Sequence, residues 1–215
     1  ELTKLVIPST VKKINSRTFS DFNNLESIVI PNTVETIGEQ VFSGCTSLTN
    51  IILPFIGDGN NINKFGYIFG NHVPSSLKEV KITDAKQIAE RAFSGCKEVE
   101  SITIDGVATS IEDEAFSGCT KLNKIEILCN ITSINRQAFS NCTSLTSITI
   151  PNTVKEFGHG AFYNCTCLTN VYFRGTLEEW RSIRIRNATS TPESYAEHIY
   201  VLDKNNEYVE IDINN

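Results

Sequence analysis

Residues 30–51 read IPNTVETIGEQVFSGCTSLTNI, and residues 150–171 read IPNTVKEFGHGAFYNCTCLTNV. Both stretches have a proline near the start, a phenylalanine followed three residues later by cysteine, and a β-branched residue at the end. The phenylalanine of this frame recurs at intervals of 23, 27, 24, 23, 23 and 23 residues, as Phe19, Phe42, Phe69, Phe93, Phe116, Phe139 and Phe162. A fixed period of this length predicts a solenoid, in which every repeat packs on its neighbours.

Each repeat contains one predicted strand and one tight turn. The run Leu-x-x-Ile-x-Ile, as in Leu122–Ile127, alternates apolar and polar residues and predicts a short strand with one buried face. Single helical turns are predicted on the opposite side, at 39–43 and 136–140. Only Gly, Asn and Asp, which tolerate the left-handed conformation, follow these turns, at Asp21, Gly44, Asn71, Gly95, Gly118, Asn141 and Asn164.

The cysteines follow the same period. Five of the seven form one column, at Cys45, Cys96, Cys119, Cys142 and Cys165. In two other repeats this position is occupied by Phe22 and His72 instead of cysteine. Parallel side chains in a regular stack have poor geometry for disulfides, so the column is predicted to consist of buried, reduced thiols. Cys129 and Cys167 lie outside the column and are also expected to be unpaired. His72 is expected one repeat from Cys45 and Cys96, as a packing substitution if it is buried.

The repeat unit is similar to that of the BspA-like leucine-rich repeat family, and the similarity covers residues 1–174. We therefore expect an α/β fold: a right-handed leucine-rich-repeat solenoid with a parallel sheet on one face, short helical turns on the other, and a C-terminal cap. Residues 1–174 would form about seven repeats with an irregular insert at 54–76. Residues 175–215 would form the cap, with a helix, a hairpin and Trp180 as its plug.

The family resemblance also implies a function. It implies a secreted or cell-surface protein of a host-associated bacterium, active in adhesion or protein binding, with no catalytic residues and no cofactor. The sequence itself agrees, because no zinc-ligand spacing, phosphate-binding loop or Gly-x-Ser-x-Gly motif is present. Its net charge of −6 does not favour nucleic acid as a partner. No apolar run reaches the roughly 18 residues of a membrane-spanning helix.

A contact surface is predicted on the outer face of the sheet. In each strand the residue between the last two core positions points outward, which gives Val6, Val29, Ile52, Lys81, Thr103, Glu126, Thr149 and Tyr172. The candidate partner contacts in this row are Val6, Val29, Ile52, Lys81, Glu126 and Tyr172. The first three are aliphatic neighbours, and such a patch is typical of a contact site. Alternatively, these residues only favour strand formation or pack against an upstream part of the protein.

Three functions remain open at this level. The first is a non-catalytic module that binds a protein partner, such as a host or extracellular-matrix protein, through its sheet face or its insert and acts as a monomer outside the cell or on its surface. The second is a spacer that presents other domains of a longer protein. The third is a glycan-binding module that uses outward polar and aromatic positions such as Tyr172.

Overall fold

The computed structural model describes residues 2–57, 64–70, 72–186 and 191–212, and in them the chain forms a solenoid of about seven turns. Sixteen strands are described, most of them only two to five residues long. In chain order they are β1 (Lys4–Val6), β2 (Lys13–Ile14), β3 (Ser27–Val29), β4 (Thr36–Ile37), β5 (Asn50–Leu53), β6 (Glu79–Ile82), β7 (Ser101–Ile104), β8 (Ser110–Ile111), β9 (Lys124–Ile127), β10 (Ser133–Ile134), β11 (Ser147–Pro151), β12 (Glu156–Phe157), β13 (Asn170–Arg174), β14 (Arg184–Ile185), β15 (His198–Leu202) and β16 (Tyr208–Ile211).

One large sheet runs the length of the solenoid and confirms the predicted architecture. Its order is β1-β3-β5-β6-β7-β9-β11-β13-β15-β16, and every pair is parallel except β15 with β16. The first eight strands are those predicted from the repeat. Two smaller parallel sheets, β14-β12-β10-β8 and β2-β4, lie at a second position of the turn. This stacking gives each backbone hydrogen-bond partners that a single repeat could not supply.

The phenylalanine column lies inside the solenoid, as predicted. The rings of Phe93 and Phe116 stack with centroids 5.3 Å apart, and those of Phe139 and Phe162 are also 5.3 Å apart. These four side chains are fully buried. Near the N-terminal end, Phe19 is only partly buried because no preceding repeat covers it among the described residues.

The insert contributes an additional ring to this column. A 3-10 helix at Phe65–Phe69 lies between two regular repeats. Phe42 contacts Phe69 at 5.9 Å, Phe69 contacts Phe65 at 5.2 Å, and Phe65 contacts Phe93 at 4.7 Å. Phe65 and Phe69 therefore both connect Phe42 to Phe93 in the column, whereas the repeat pattern predicted only Phe69. The parts of the predicted insert at residues 58–63 and 71 lie outside the described residues.

The turns opposite the large sheet have two left-handed positions in each regular repeat. The predicted position is confirmed at the six described residues, whose φ angles are 60° to 78°: Asp21, Gly44, Gly95, Gly118, Asn141 and Asn164. A second position, two residues before each phenylalanine, was not predicted and holds Arg17, Gln40, Arg91, Glu114, Gln137 and Gly160. Because a left-handed residue lies within them, residues 39–43 and 136–140 are hydrogen-bonded turns instead of helical turns.

The C-terminal residues cover the last repeat. Helix α1 (Leu177–Arg181) begins with a capping box between Thr176 and Glu179, which satisfies two backbone N–H groups. Trp180 is 5% exposed and packs against Phe157 and Phe173. Its indole N–H donates to Glu193 Oε1 at 2.7 Å. These contacts support our proposal that residues 175–215 act as the cap of the array at 1–174.

Candidate functional site

The predicted outward row is one continuous line of paired residues on the large sheet. Parallel register places each member directly beside the next, from Val6 on β1 to Tyr172 on β13. The pairing continues beyond the prediction to Tyr200 on β15 and Glu210 on β16. All six candidate contacts and both intervening threonines therefore lie in one row, because stacking of equal repeats keeps equivalent residues in register.

The N-terminal end of the row is aliphatic and accessible. The side chain of Val6 is 82% exposed and that of Val29 is 48% exposed, whereas Ile52 is half-buried. The three residues lie on neighbouring strands and form a short apolar strip. Since the inward residues of these strands already form the core, the strip is not required to close the fold.

The middle of the row is charged, and each of its charged residues pairs with an opposite charge beside the row. Lys81 Nζ lies 2.7 Å from Asp105 Oδ2, and this ion pair lowers the pKa of the Asp105 carboxyl. Lys124 Nζ lies 2.8 Å from Glu126 Oε1, and Glu126 raises the pKa of the Lys124 amine. Exposed pairs of this kind contribute little to stability. They reduce the net charge that the middle of the face presents to a partner.

The C-terminal end of the row is aromatic. The rings of Tyr172 and Tyr200 stack with centroids 4.9 Å apart and 12° between their planes. Tyr208 lies 5.3 Å from Tyr172 in an edge-to-face arrangement and is 44% exposed. Glu210 is directly opposite Tyr200, and its Oε1 lies 2.7 Å from His198 Nδ1.

Sequence reasoning found Tyr172 but missed Tyr200 and Tyr208. The repeat pattern predicted a sheet that ends with the last repeat, and a hairpin whose role is to cover the core. A signal was present in residues 198–202, where His-Ile-Tyr-Val-Leu alternates as the repeat strands do. Nothing in that pattern shows that this strand would pair with β13.

The cysteines of the column are buried and protonated. All seven cysteines of the chain lie among the described residues and are unpaired, and six are buried, whereas Cys167 is exposed. Burial raises the pKa of Cys96 and of Cys165 to about 12. Within the column the thiols of Cys45, Cys119, Cys142 and Cys165 each donate to a carbonyl of the preceding repeat, as from Cys142 Sγ to Phe116 O at 3.2 Å. A protonated, buried thiol is a poor nucleophile.

His72 is exposed and does not enter the cysteine column. It lines an open cleft of about 660 Å³ next to the insert, together with Lys64, Arg91 and Cys96. Arg91 is held by Glu114 at 2.8 Å, and the raised pKa keeps the Cys96 thiol protonated. The cleft therefore does not present an activated cysteine–histidine pair.

The described residues contain neither a metal-ligand cluster nor a membrane-spanning helix. Within the described ranges, no three His, Cys, Asp or Glu side chains come close enough together to hold a metal ion. None of the helices described is long and apolar enough to cross a bilayer.

The stacked strands, the inward columns of phenylalanine and cysteine, and the parallel sheet define a leucine-rich-repeat solenoid. The chain belongs to the BspA type leucine rich repeat family, whose model matches six copies over residues 1–69 and 60–190. No curated protein sequence matches the chain.

Solved structures of bacterial leucine-rich repeat proteins are similar to it. A leucine rich cell surface protein from Faecalibacterium prausnitzii is 25% identical, with a TM-score of 0.46 over 99% of this chain and 52% of its own. A leucine-rich repeat protein from Bacteroides ovatus is 22% identical, with a TM-score of 0.36 over 94% and 66%. The pneumococcal vaccine antigen PcpA is 19% identical, with a TM-score of 0.45 over 81% and 63%. The chain thus spans between half and two thirds of the length of these proteins.

Proposed function

We propose that this chain is a non-catalytic protein-binding module of a secreted or cell-surface bacterial protein that acts in adhesion as a monomer. It contacts its partner through the outward row Val6, Val29, Ile52, Lys81, Glu126 and Tyr172. The observation that carries this proposal is the aliphatic strip at the start of the row. Val6 and Val29 are large apolar side chains held in water by a rigid sheet, although the core does not need them.

The energetics favour such a strip as an anchor. Burying one aliphatic side chain stabilises a complex by about 1.5–3 kcal/mol, so three neighbours form an apolar centre of the size seen in interface hot spots. The sheet is hydrogen-bonded on both sides of β3 and β5, and it loses little conformational freedom on binding. Neutralised charges beside the strip provide a polar rim.

Site chemistry supports a binding role over a catalytic one. The nucleophiles of the core are buried thiols with raised pKa values, such as Cys165. The partly buried His198 is paired with Glu210 through its Nδ1. The row therefore offers apolar, charged and aromatic contacts, which suit binding.

A matched pair of double variants tests the proposal. Val29→Lys with Ile52→Lys places two charges in the strip, whereas Val107→Lys with Ile185→Lys places the same two charges at exposed aliphatic positions away from it. Binding to an immobilised extracellular-matrix preparation is measured by surface plasmon resonance. We expect the first variant to bind at least tenfold more weakly and the second to bind like the wild type.

Other outcomes identify the rival functions. If the wild-type chain binds no protein and no sugar, the chain is a spacer. If it binds an oligosaccharide array but no protein, the glycan-binding alternative replaces the proposal. Equal loss in both double variants would show that charge, and not the strip, controls binding.

A further inference from the structure

Negative charge is concentrated at the C-terminal end of the solenoid. Of the 25 acidic residues, six lie in residues 191–215, whereas only one of the 19 lysines and arginines lies there. This segment therefore accounts for −5 of the net charge of −6. Its acidic residues are Glu193, Glu197, Asp203, Glu207, Glu210 and Asp212.

The aromatic end of the outward row lies on this acidic segment. Tyr200, Tyr208 and Glu210 belong to the hairpin β15–β16, and Tyr172 lies on the adjacent strand β13. We call these four residues the tyrosine–glutamate surface. In the other repeats the same row holds aliphatic, charged or threonine side chains, so the fold does not require tyrosine here.

The hydrogen-bonding capacity of this surface is largely unused. The hydroxyls of its tyrosines form no hydrogen bond with another of the described residues. The Glu210 carboxylate has one hydrogen bond, to Nδ1 of His198. A carboxylate has two oxygens and can accept further donors. The surface thus offers ring faces of negative potential, hydroxyls and a carboxylate on one face of the sheet: Tyr172, Tyr200 and Glu210 lie in the row, and Tyr208 packs against Tyr172.

We propose that the tyrosine–glutamate surface receives an arginine-bearing segment of the protein partner. The inference rests on the proposed function, because it assigns partner chemistry to the opposite end of the same row. A cation is attracted by tyrosine ring faces and by the acidic hairpin. Arginine fits better than lysine, since a planar guanidinium stacks on aromatic rings while its N–H groups donate to a carboxylate such as that of Glu210.

Peptide titration tests this inference on the full chain. Capped hexa-arginine and hexalysine are titrated by isothermal calorimetry at low ionic strength, because exposed charge interactions are screened by salt. We expect hexa-arginine to bind severalfold more tightly than hexalysine. Tyr208→Ala and Glu210→Gln should each weaken hexa-arginine binding by about fivefold, which corresponds to a lost contact of the usual cation–π or charged hydrogen-bond strength.

Matched controls separate the surface from general acidity. Tyr163→Ala removes a tyrosine that is 54% exposed elsewhere, and Glu178→Gln removes an exposed charge from α1. Both should change hexa-arginine binding by less than twofold. Equal losses in the controls, or equal binding of the two peptides, would overturn the inference. So would a neutral oligosaccharide whose binding depends on Tyr208, since the surface would then serve carbohydrate.

The two proposals can fail separately. In one outcome, Val29→Lys with Ile52→Lys loses the protein partner, but Tyr208→Ala and Glu210→Gln bind both the partner and hexa-arginine normally. The proposed function then stands, and the arginine site does not exist. If the tyrosine and glutamate variants lose hexa-arginine while the strip variant binds the partner normally, the arginine site exists but the strip is not the anchor. Thermal unfolding of each variant verifies that it is folded.

Discussion

The rings of Phe116 and Phe139 stack with centroids 5.1 Å apart and only 5° between their planes. The two residues are 23 positions apart in sequence and equivalent in the repeat. Their near-parallel arrangement shows that successive turns of the solenoid superpose with little rotation in this region. The same superposition aligns the outward row, so the regularity of the core determines the geometry of the surface.

Truncation of Phe139 should strongly destabilise the array. Phe139→Ala removes a fully buried ring between two stacked neighbours, and we expect the free energy of unfolding to fall by about 3–5 kcal/mol. Urea denaturation followed by circular dichroism measures this change. Phe22→Ala is the control, because Phe22 is 39% exposed and should cost much less. Similar losses in both variants would contradict the role of the column.

Thiol labelling should distinguish the native from the unfolded chain. Six cysteines are buried, and burial raises the pKa of Cys119 and Cys142 well above the ordinary value, so only Cys167 should react quickly with Ellman's reagent. In denaturant without reductant, all seven should react. Rapid labelling of the column in the native protein, or three or fewer reactive thiols after unfolding, would refute this account.

The second left-handed position offers a stabilising substitution. Gln137 has a φ of 51°, a conformation that costs a non-glycine residue about 1–2 kcal/mol. Glycine removes this cost but loses more chain entropy, about 0.5–1 kcal/mol, so Gln137→Gly should raise the free energy of unfolding by up to about 1.5 kcal/mol. Chemical denaturation measures the change.

Glu114 provides a contrast at the equivalent position of the preceding repeat. Its φ is 55°, but its carboxylate binds Arg91 at 2.8 Å and Arg136 at 3.0 Å. Glu114→Gly should therefore not raise the free energy of unfolding, because it removes both ion pairs as well as the backbone strain. If both glycine variants are destabilised, backbone strain at this position is not the controlling factor.

His198 should make stability depend on pH. Its hydrogen bond with Glu210 raises the pKa of His198 above the ordinary value near 6.5, with Glu197 contributing the same sign. The protonated form is favoured in the folded state, so this stabilisation is fully present below about pH 6.5 and is lost as the pH rises through the raised pKa. Glu210→Gln should lower the His198 pKa in an NMR titration. It should also reduce stability more at about pH 5.5 than at about pH 9. An unchanged His198 titration would contradict the pairing.

Periodicity made most of the fold predictable. The strand, the phenylalanine column and the Gly/Asn/Asp position repeat because each occupies one environment in every turn, and their spacing is visible without coordinates. The outward row could be predicted for the same reason, since alternation along a strand fixes which side chains point away from the core. The contact function assigned to that row remains a proposal.

Tertiary structure decided what does not repeat. Phe65 enters the column only because the insert folds as a 3-10 helix between two turns. The left-handed position of Arg17 and Gln40 could not be predicted from the sequence, because it holds polar side chains and not glycine or asparagine. These side chains form contacts between repeats, as from Arg17 Nε to Gln40 Oε1. Tyr200 joins the row through pairing of β15 with β13, and Tyr208 packs against Tyr172 from β16, outside the repeats. The chain's own repetition thus specified the solenoid, whereas the chemistry of its C-terminal surface arose from contacts that occur only once.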